Sequence, residues 1–202
     1  MAQRTPTLEP DKSGFSRRDF LRGSGAVAAA ATISQEARSA LAQEKGTKVA
    51  SGPTTISLDV NGKSQQVKVE PRTTLLEALR IQLDLTGAKP ICTDGSSGGA
   101  TVLIDGKPAQ ANTMLAMQAV GKKIVTVEGL AKDAVPAAFV ECDAQQCGFC
   151  TPGFVVGVRA FLNSKPKATE EEIRKGLNGN LCRCGTYANV IQAALKVVKG
   201  GA

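Results

Sequence analysis

The sequence predicts an α+β chain in which a small β-rich half precedes four short helices. Residues 54–130 alternate apolar and polar side chains in short runs separated by Gly-containing turns, a pattern typical of paired strands. Residues 134–199 instead repeat their apolar side chains at helical spacing. We therefore expect a β-rich domain over 54–130 and a helical domain over 131–202.

The β-rich half begins with a hairpin, because "TTISLDV" and "KSQQVKVE" alternate on either side of an Asn-Gly turn at 61–62. The stretch 73–85 then places its leucines on one helical face, with Thr73 or Thr74 as N-cap and Gly87 as the predicted stop. The segments "ATVLIDG" and "KIVTVEG" follow as strands. Together these elements predict a mixed sheet wrapped on one helix.

Four helices are expected in the second half, over "VPAAFVECDAQ", "PGFVVGVRAFLNS", "TEEEIRKGLN" and "YANVIQAALKVVK". Thr169 is the predicted N-cap of the third, with Glu172 completing a capping box. Lys196 and Lys199 suit the C-terminus of the last.

The N-terminal residues resemble a twin-arginine export signal. Arg17 and Arg18 precede an apolar run that is too short to span a bilayer, and small residues follow at Ala40 and Ala42. We expect a signal peptide over 1–42, a linker over 43–53, and a protein exported already folded to the periplasm.

Composition excludes several functions. The chain carries 25 basic and 18 acidic side chains, but only 3% aromatics and no Trp, so base stacking and nucleic-acid binding are not expected. A basic face suits an acidic protein partner better. The sequence has no histidine, which excludes His-ligated haem, Rieske centres and Ser-His or Cys-His nucleophiles. The chemistry must therefore rest on six cysteines.

Four of the cysteines form two close pairs, Cys147 with Cys150 (C-x2-C) and Cys182 with Cys184 (C-x-C). Four thiolates without another soft ligand suit a [2Fe–2S] cluster or a structural Zn²⁺. Zinc sites more often use two C-x2-C pairs. Disulfides are a third interpretation in an exported chain, although a C-x-C disulfide closes a strained ring.

The motifs "QCGFCTPG" and "GNLCRCGTY" resemble the C-terminal helical domain of the iron–sulfur subunit of molybdenum hydroxylases, the xanthine dehydrogenase and aldehyde oxidase family. "LLEALRIQLDLTGAK", "TVLIDGKPA" and "VTVEGLA" resemble the family's N-terminal domain, and the resemblance covers nearly all of 54–198. It implies an N-terminal β-grasp (plant-ferredoxin-like) domain followed by a C-terminal four-helix [2Fe–2S]-binding domain.

The resemblance also implies a division of labour. A large subunit binds molybdopterin and hydroxylates the substrate, while the small subunit carries electrons away and contributes no catalytic residue. Gln146 and Cys184 are expected beside the pterin. A c-type cytochrome or a flavin subunit would be the further partner, and no membrane span is expected. The cluster nearest the molybdopterin would be ligated by Cys147, Cys150, Cys182 and Cys184.

The family's first domain binds a second cluster through a C-x4-C-x2-C loop and a fourth cysteine. In "CTDGSSGGATVLIDG" and the residues after it, these four positions are Cys92, Ser97, Ala100 and Asn112, so three thiols are missing. We expect one cluster per chain. Cys92 and Cys142 are expected to be buried, small apolar residues, with a disulfide between them as an alternative.

The first hypothesis is therefore the electron-transfer subunit of a periplasmic molybdenum hydroxylase. A zinc-bearing or metal-free interaction module that stabilises a partner is a second, and a free-standing redox carrier is a third.

Overall fold

The computed structural model describes residues 51–200, which belong to one compact unit spanning Ala50–Ala202. The expected signal peptide (1–42) and most of the expected linker (43–53) lie outside the described residues. Strands come first and helices follow, so the α+β class is confirmed. The domain boundary expected after residue 130 stays a prediction.

One mixed sheet organises the first half. Its strands are β1 (Thr54–Val60), β2 (Lys63–Val69), β3 (Thr101–Ile104), β4 (Lys107–Gln110) and β5 (Lys123–Val125). They lie in the order β2-β1-β5-β3-β4. Only the β1–β5 pair is parallel, and the other three pairs are antiparallel. A parallel pair requires a crossover connection, and the first helix lies in it.

Both hairpins turn through two residues in left-handed conformations. Asn61 and Gly62 have φ of 53° and 75°, and Asp105 and Gly106 have φ of 50° and 78°. Two successive positive φ values define the turn whose twist matches the flanking strands, and Asn-Gly and Asp-Gly suit it best. The hairpin predicted at 61–62 is confirmed.

The first helix is shorter than expected. Thr74 is its N-cap and forms a capping box with Glu77; α1 (Leu75–Glu77) then widens into a π-helical turn over Ala78–Gln82. The predicted stop at Gly87 is wrong: the helix ends at its C-cap, Leu83, and Asp84 follows in the left-handed conformation at φ 55°. Aspartate tolerates this region better than most residues.

The helical half has the four predicted helices. Thr169 caps the third through a capping box with Glu172, as the sequence predicts. Pro152 lies in the first turn of the second, where its missing N–H costs no hydrogen bond. The helices are α2 (Ala134–Glu141), α3 (Thr151–Ser164), α4 (Glu170–Gly176) and α5 (Tyr187–Lys199).

Two hydrophobic cores share strand β3. All four of its residues are buried, with Val102 and Ile104 in the core of the sheet and α1, and Leu103 in the core of the helices. Alternate side chains of a strand point to opposite faces, so β3 is covered on both sides. Phe154 on α3 and Ile173 on α4 are fully buried in the helical core. Among residues 51–200, no helix has the length and apolar character needed to cross a membrane.

Candidate metal centre

Two loops bring the paired cysteines together. Cys147 lies in the loop between α2 and α3, and Cys150 is the residue from which α3 starts. Cys182 and Cys184 lie in the loop between α4 and α5, shortly before α5 begins. The N-terminal ends of two long helices therefore adjoin the thiols, and their free N–H groups favour negative charge there.

The thiols pair across the two loops. Across the two loops, Cys150 has Cys182 as a neighbour and Cys184 has Cys147, each close enough to affect its electrostatics. The first pair lies inward, since Cys182 is buried and Cys150 half-buried, whereas Cys147 and Cys184 are exposed. Each pair takes one sulfur from each motif, so the two loops together bring the four thiols to one place.

This arrangement fits a two-iron core. In a [2Fe–2S] cluster with four cysteine ligands each iron takes two thiolates, whereas structural zinc needs four ligands around one point. Four thiols, two from each motif, supply the ligand number and chemistry that a [2Fe–2S] cluster requires.

The two inner thiols, Cys150 and Cys182, have pKa values shifted in opposite directions. Burial, together with the neighbouring Cys182 and Cys147, raises the pKa of Cys150 to about 12. Burial also acts to raise the pKa of Cys182, but hydrogen bonds from Thr186, Cys150 and the Gly185 backbone outweigh it and lower the pKa to about 7. Because the thiolate is the ligand form, metal binding must release the Cys150 proton.

The first turn of α5 holds Cys182 in place. The Thr186 hydroxyl lies 3.2 Å from the Cys182 sulfur, and the Cys182 N–H donates to the Tyr187 hydroxyl at 2.8 Å. The Tyr187 ring packs edge-on against Phe154, with ring centroids 6.0 Å apart. Sequence reasoning did not single out Thr186 or Tyr187. The sequence signal that could have identified Thr186 is a hydroxyl residue directly after the C-x-C-G motif.

Gln146 and Cys184, expected beside a pterin, are both exposed. Large apolar side chains flank the same cysteines: Phe149 is 50% exposed and Leu181 53%. We call these four residues and Cys147 the cysteine face. Exposed apolar side chains grouped around functional groups are typical of a protein-binding surface.

Cys92 departs from its expected role as an apolar residue. It is half-buried, and its sulfur lies 2.9 Å from the Ser97 hydroxyl. This hydrogen bond lowers the pKa of Cys92. Cys142 fits its expected role better, because it packs against the helical core at the end of α2. Both thiols are free, so the alternative disulfide is not formed in this structure.

Three of the four positions of the degenerate loop, Cys92, Ser97 and Asn112, meet in space, whereas Ala100 is buried in the sheet core. The Asn112 amide donates to the Cys92 carbonyl at 2.7 Å and lies 3.7 Å from its sulfur. The Ser97 N–H donates to the same sulfur at 3.3 Å. Direct hydrogen bonds thus close the loop around Cys92.

Comparison with known protein families finds matches to two segments of the chain. A [2Fe-2S] binding domain matches residues 126–195, which include all four paired cysteines. A twin-arginine translocation pathway signal sequence matches residues 14–34.

Relatives match over most of their length. The chain is 38% identical to the aldehyde oxidoreductase iron-sulfur-binding subunit PaoA of Escherichia coli O157:H7, covering 92% of this chain and 89% of the relative. It is 40% identical to the nicotinate dehydrogenase small FeS subunit of Eubacterium barkeri, covering 72% and 95%.

Solved structures agree. A chain of quinoline 2-oxidoreductase from Pseudomonas putida 86 matches with a TM-score of 0.72 and 40% identity, covering 75% of this chain and 97% of that one. The aldehyde oxidoreductase of Desulfovibrio gigas matches with a TM-score of 0.68 and 32% identity, over 72% of this chain but 17% of that longer one.

The fold and the cysteine motifs thus define a redox subunit with a [2Fe–2S]-binding domain. The chain belongs to the iron–sulfur small subunits of molybdenum hydroxylases, and it is a subunit of an oxidoreductase complex.

Proposed function

We propose that this chain is the electron-transfer subunit of a periplasmic molybdenum hydroxylase, holding one [2Fe–2S] cluster through Cys147, Cys150, Cys182 and Cys184. The pairing of thiols across two loops, inside the matched domain, carries the proposal. A bound [2Fe–2S] cluster would supply one-electron transfer. The chain's own part is to hold it, shield it and direct its exposed side to a partner.

The shielding is asymmetric. Cys150 and Cys182 face the helical core, and Cys147 and Cys184 face outward. The cysteine face would therefore dock on the molybdopterin subunit, with Gln146 and Cys184 next to the pterin. Its apolar side chains, Phe149 and Leu181, would then be buried, as side chains at the centre of protein interfaces usually are.

The first domain would be a β-grasp, plant-ferredoxin-like fold without a cluster of its own. The contacts around Cys92 support this, because Ser97 and Asn112 hydrogen-bond to it and Ala100 supplies no ligand. With one cluster per chain, the electron acceptor must approach the helical domain. A c-type cytochrome that docks on the helical domain would meet that requirement without a second cluster in the first domain.

The twin-arginine signal supports export after folding, with the thiols already protected by the metal. Relatives named for aldehyde and nicotinate oxidation suggest either substrate class for the complex. The large subunit would determine which of these substrate classes is oxidised.

The test is to purify the complex from periplasm through a tag on this chain. We expect a molybdopterin-binding subunit to co-purify and the small subunit to be red-brown. A colourless protein containing zinc would instead support the interaction module. A coloured protein without a large subunit would support the free-standing carrier.

A further inference from the structure

The glycine-rich loop after Cys92 touches the helical domain directly. The Leu181 N–H donates to the Ser97 carbonyl at 3.0 Å, and the Asn180 side-chain amide donates to the Gly98 carbonyl at 2.9 Å. Asn180 also lies 3.5 Å from the Thr101 hydroxyl. These contacts join residues about eighty positions apart, immediately before Cys182.

The approach is close enough to require glycine. Gly98 has φ of 70°, and a Cβ there would clash with the Gly179 carbonyl and with Asn180. On its other side, a Cβ at Gly153 of α3 would clash with the Gly98 carbonyl. Gly98 is therefore packed between the turn of α3 that follows Cys150 and the segment that precedes Cys182.

The contact is buried. Ser97 and Asn180 are each 8% exposed, and the backbone groups of both partners are paired across it. A buried, fully hydrogen-bonded contact of this kind resists displacement, since breaking it leaves polar groups unpaired.

We infer that residues 97–99 of the first domain act as a positioning element for the inner thiol pair, Cys150 and Cys182. The inference rests on the proposed function. This role explains why the loop after Cys92 keeps the glycines of a cluster-binding loop although three of the four thiols are missing. The loop's task in this chain is to hold the two cysteine-bearing elements at a fixed separation.

The test compares Gly98→Ala with Gly106→Ala in the full chain purified with its cluster. Gly106 has φ of 78° and no atom within 4 Å of the position that an added methyl group would take, so it shares the backbone strain without the contact. We expect Gly98→Ala to shift the g values of the reduced protein and to release iron to a chelator about tenfold faster, as loss of supporting contacts at metal sites typically does. Gly106→Ala should match the wild type in both.

Asn180→Ala provides a second variant that introduces no clash, should Gly98→Ala fail to fold. It removes the hydrogen bond to Gly98, and we expect faster iron release with the same direction of change in the g values. Unchanged g values and release rates in the folded variants would overturn the inference. A wild-type protein without any cluster would overturn the proposed function instead, so the two failures are distinguishable.

Discussion

The Thr186 hydroxyl lies 3.2 Å from the sulfur of Cys182, and both residues are buried. The contact couples the first turn of α5 to an inner thiol. A hydroxyl that donates to a cluster sulfur stabilises the added negative charge of the reduced state, which raises the reduction potential.

Thr186→Val should therefore lower the reduction potential of the protein. A hydrogen bond to a charged group contributes about 1.5–3 kcal/mol, and a tenfold change in a one-electron equilibrium corresponds to about 59 mV. We expect a fall on the order of one such step in a redox titration. Thr186→Ser keeps the hydroxyl and should keep the potential. Equal potentials for the Val and Ser variants would refute the assigned role.

Cys150 and Cys142 should behave differently, although they lie only eight positions apart. Cys150→Ala removes one thiol of the inner pair, so the visible absorption should be lost and the bound iron should fall to near zero. Cys142→Ala trims a half-buried side chain at the end of α2 and should leave the spectrum intact. If the Cys142 variant also lost its colour, the ligand assignment would be wrong.

Asp133 should be important for the stability of the helical half. Its carboxylate caps α2 by accepting from the Val135 N–H, and it pairs with Arg159 at 2.6 Å, with both side chains largely buried. Asp133→Ala removes the cap and leaves Arg159 uncompensated, at a cost of about 2 kcal/mol. We expect the melting temperature to fall by roughly 4–8 °C. Arg72→Ala breaks an exposed pair with Glu70 and should change the melting temperature little.

The twin arginines should determine location. Replacing Arg17 and Arg18 with Lys keeps the charge but removes the pair of arginines in the signal that matches residues 14–34. The protein should then accumulate in the cytoplasm with its cofactor, as cell fractionation and visible absorption of each fraction would show. Undiminished recovery from the periplasm would contradict export by this route.

Local signals predicted much of the fold. The turn at Asn61–Gly62 and the capping box of Thr169 depend on residues within four positions of one another, so the sequence alone sufficed. Local signals did not predict where the first helix ends. Gly87 is the stronger stop signal in isolation, but the helix ends earlier, at Leu83, with Asp84 next in the left-handed conformation.

Long-range contacts were not predictable in this way. The spacing of the cysteines predicted that all four would serve one centre, but not that Cys182 would lie beside Cys150 and Cys147 beside Cys184 across the loops. Nothing in the local sequence indicates that Gly98 would contact Asn180. Such contacts depend on how β3 is packed between the two cores.

The most direct test of the account is iron analysis combined with electron paramagnetic resonance of the dithionite-reduced protein. Only one set of four thiols exists, so we expect about two irons per chain and one rhombic signal integrating to about one spin. Four irons with two distinct signals of comparable intensity would contradict the account, because the loop at Cys92 would then hold a cluster with Ser97 or Asn112 in place of thiols.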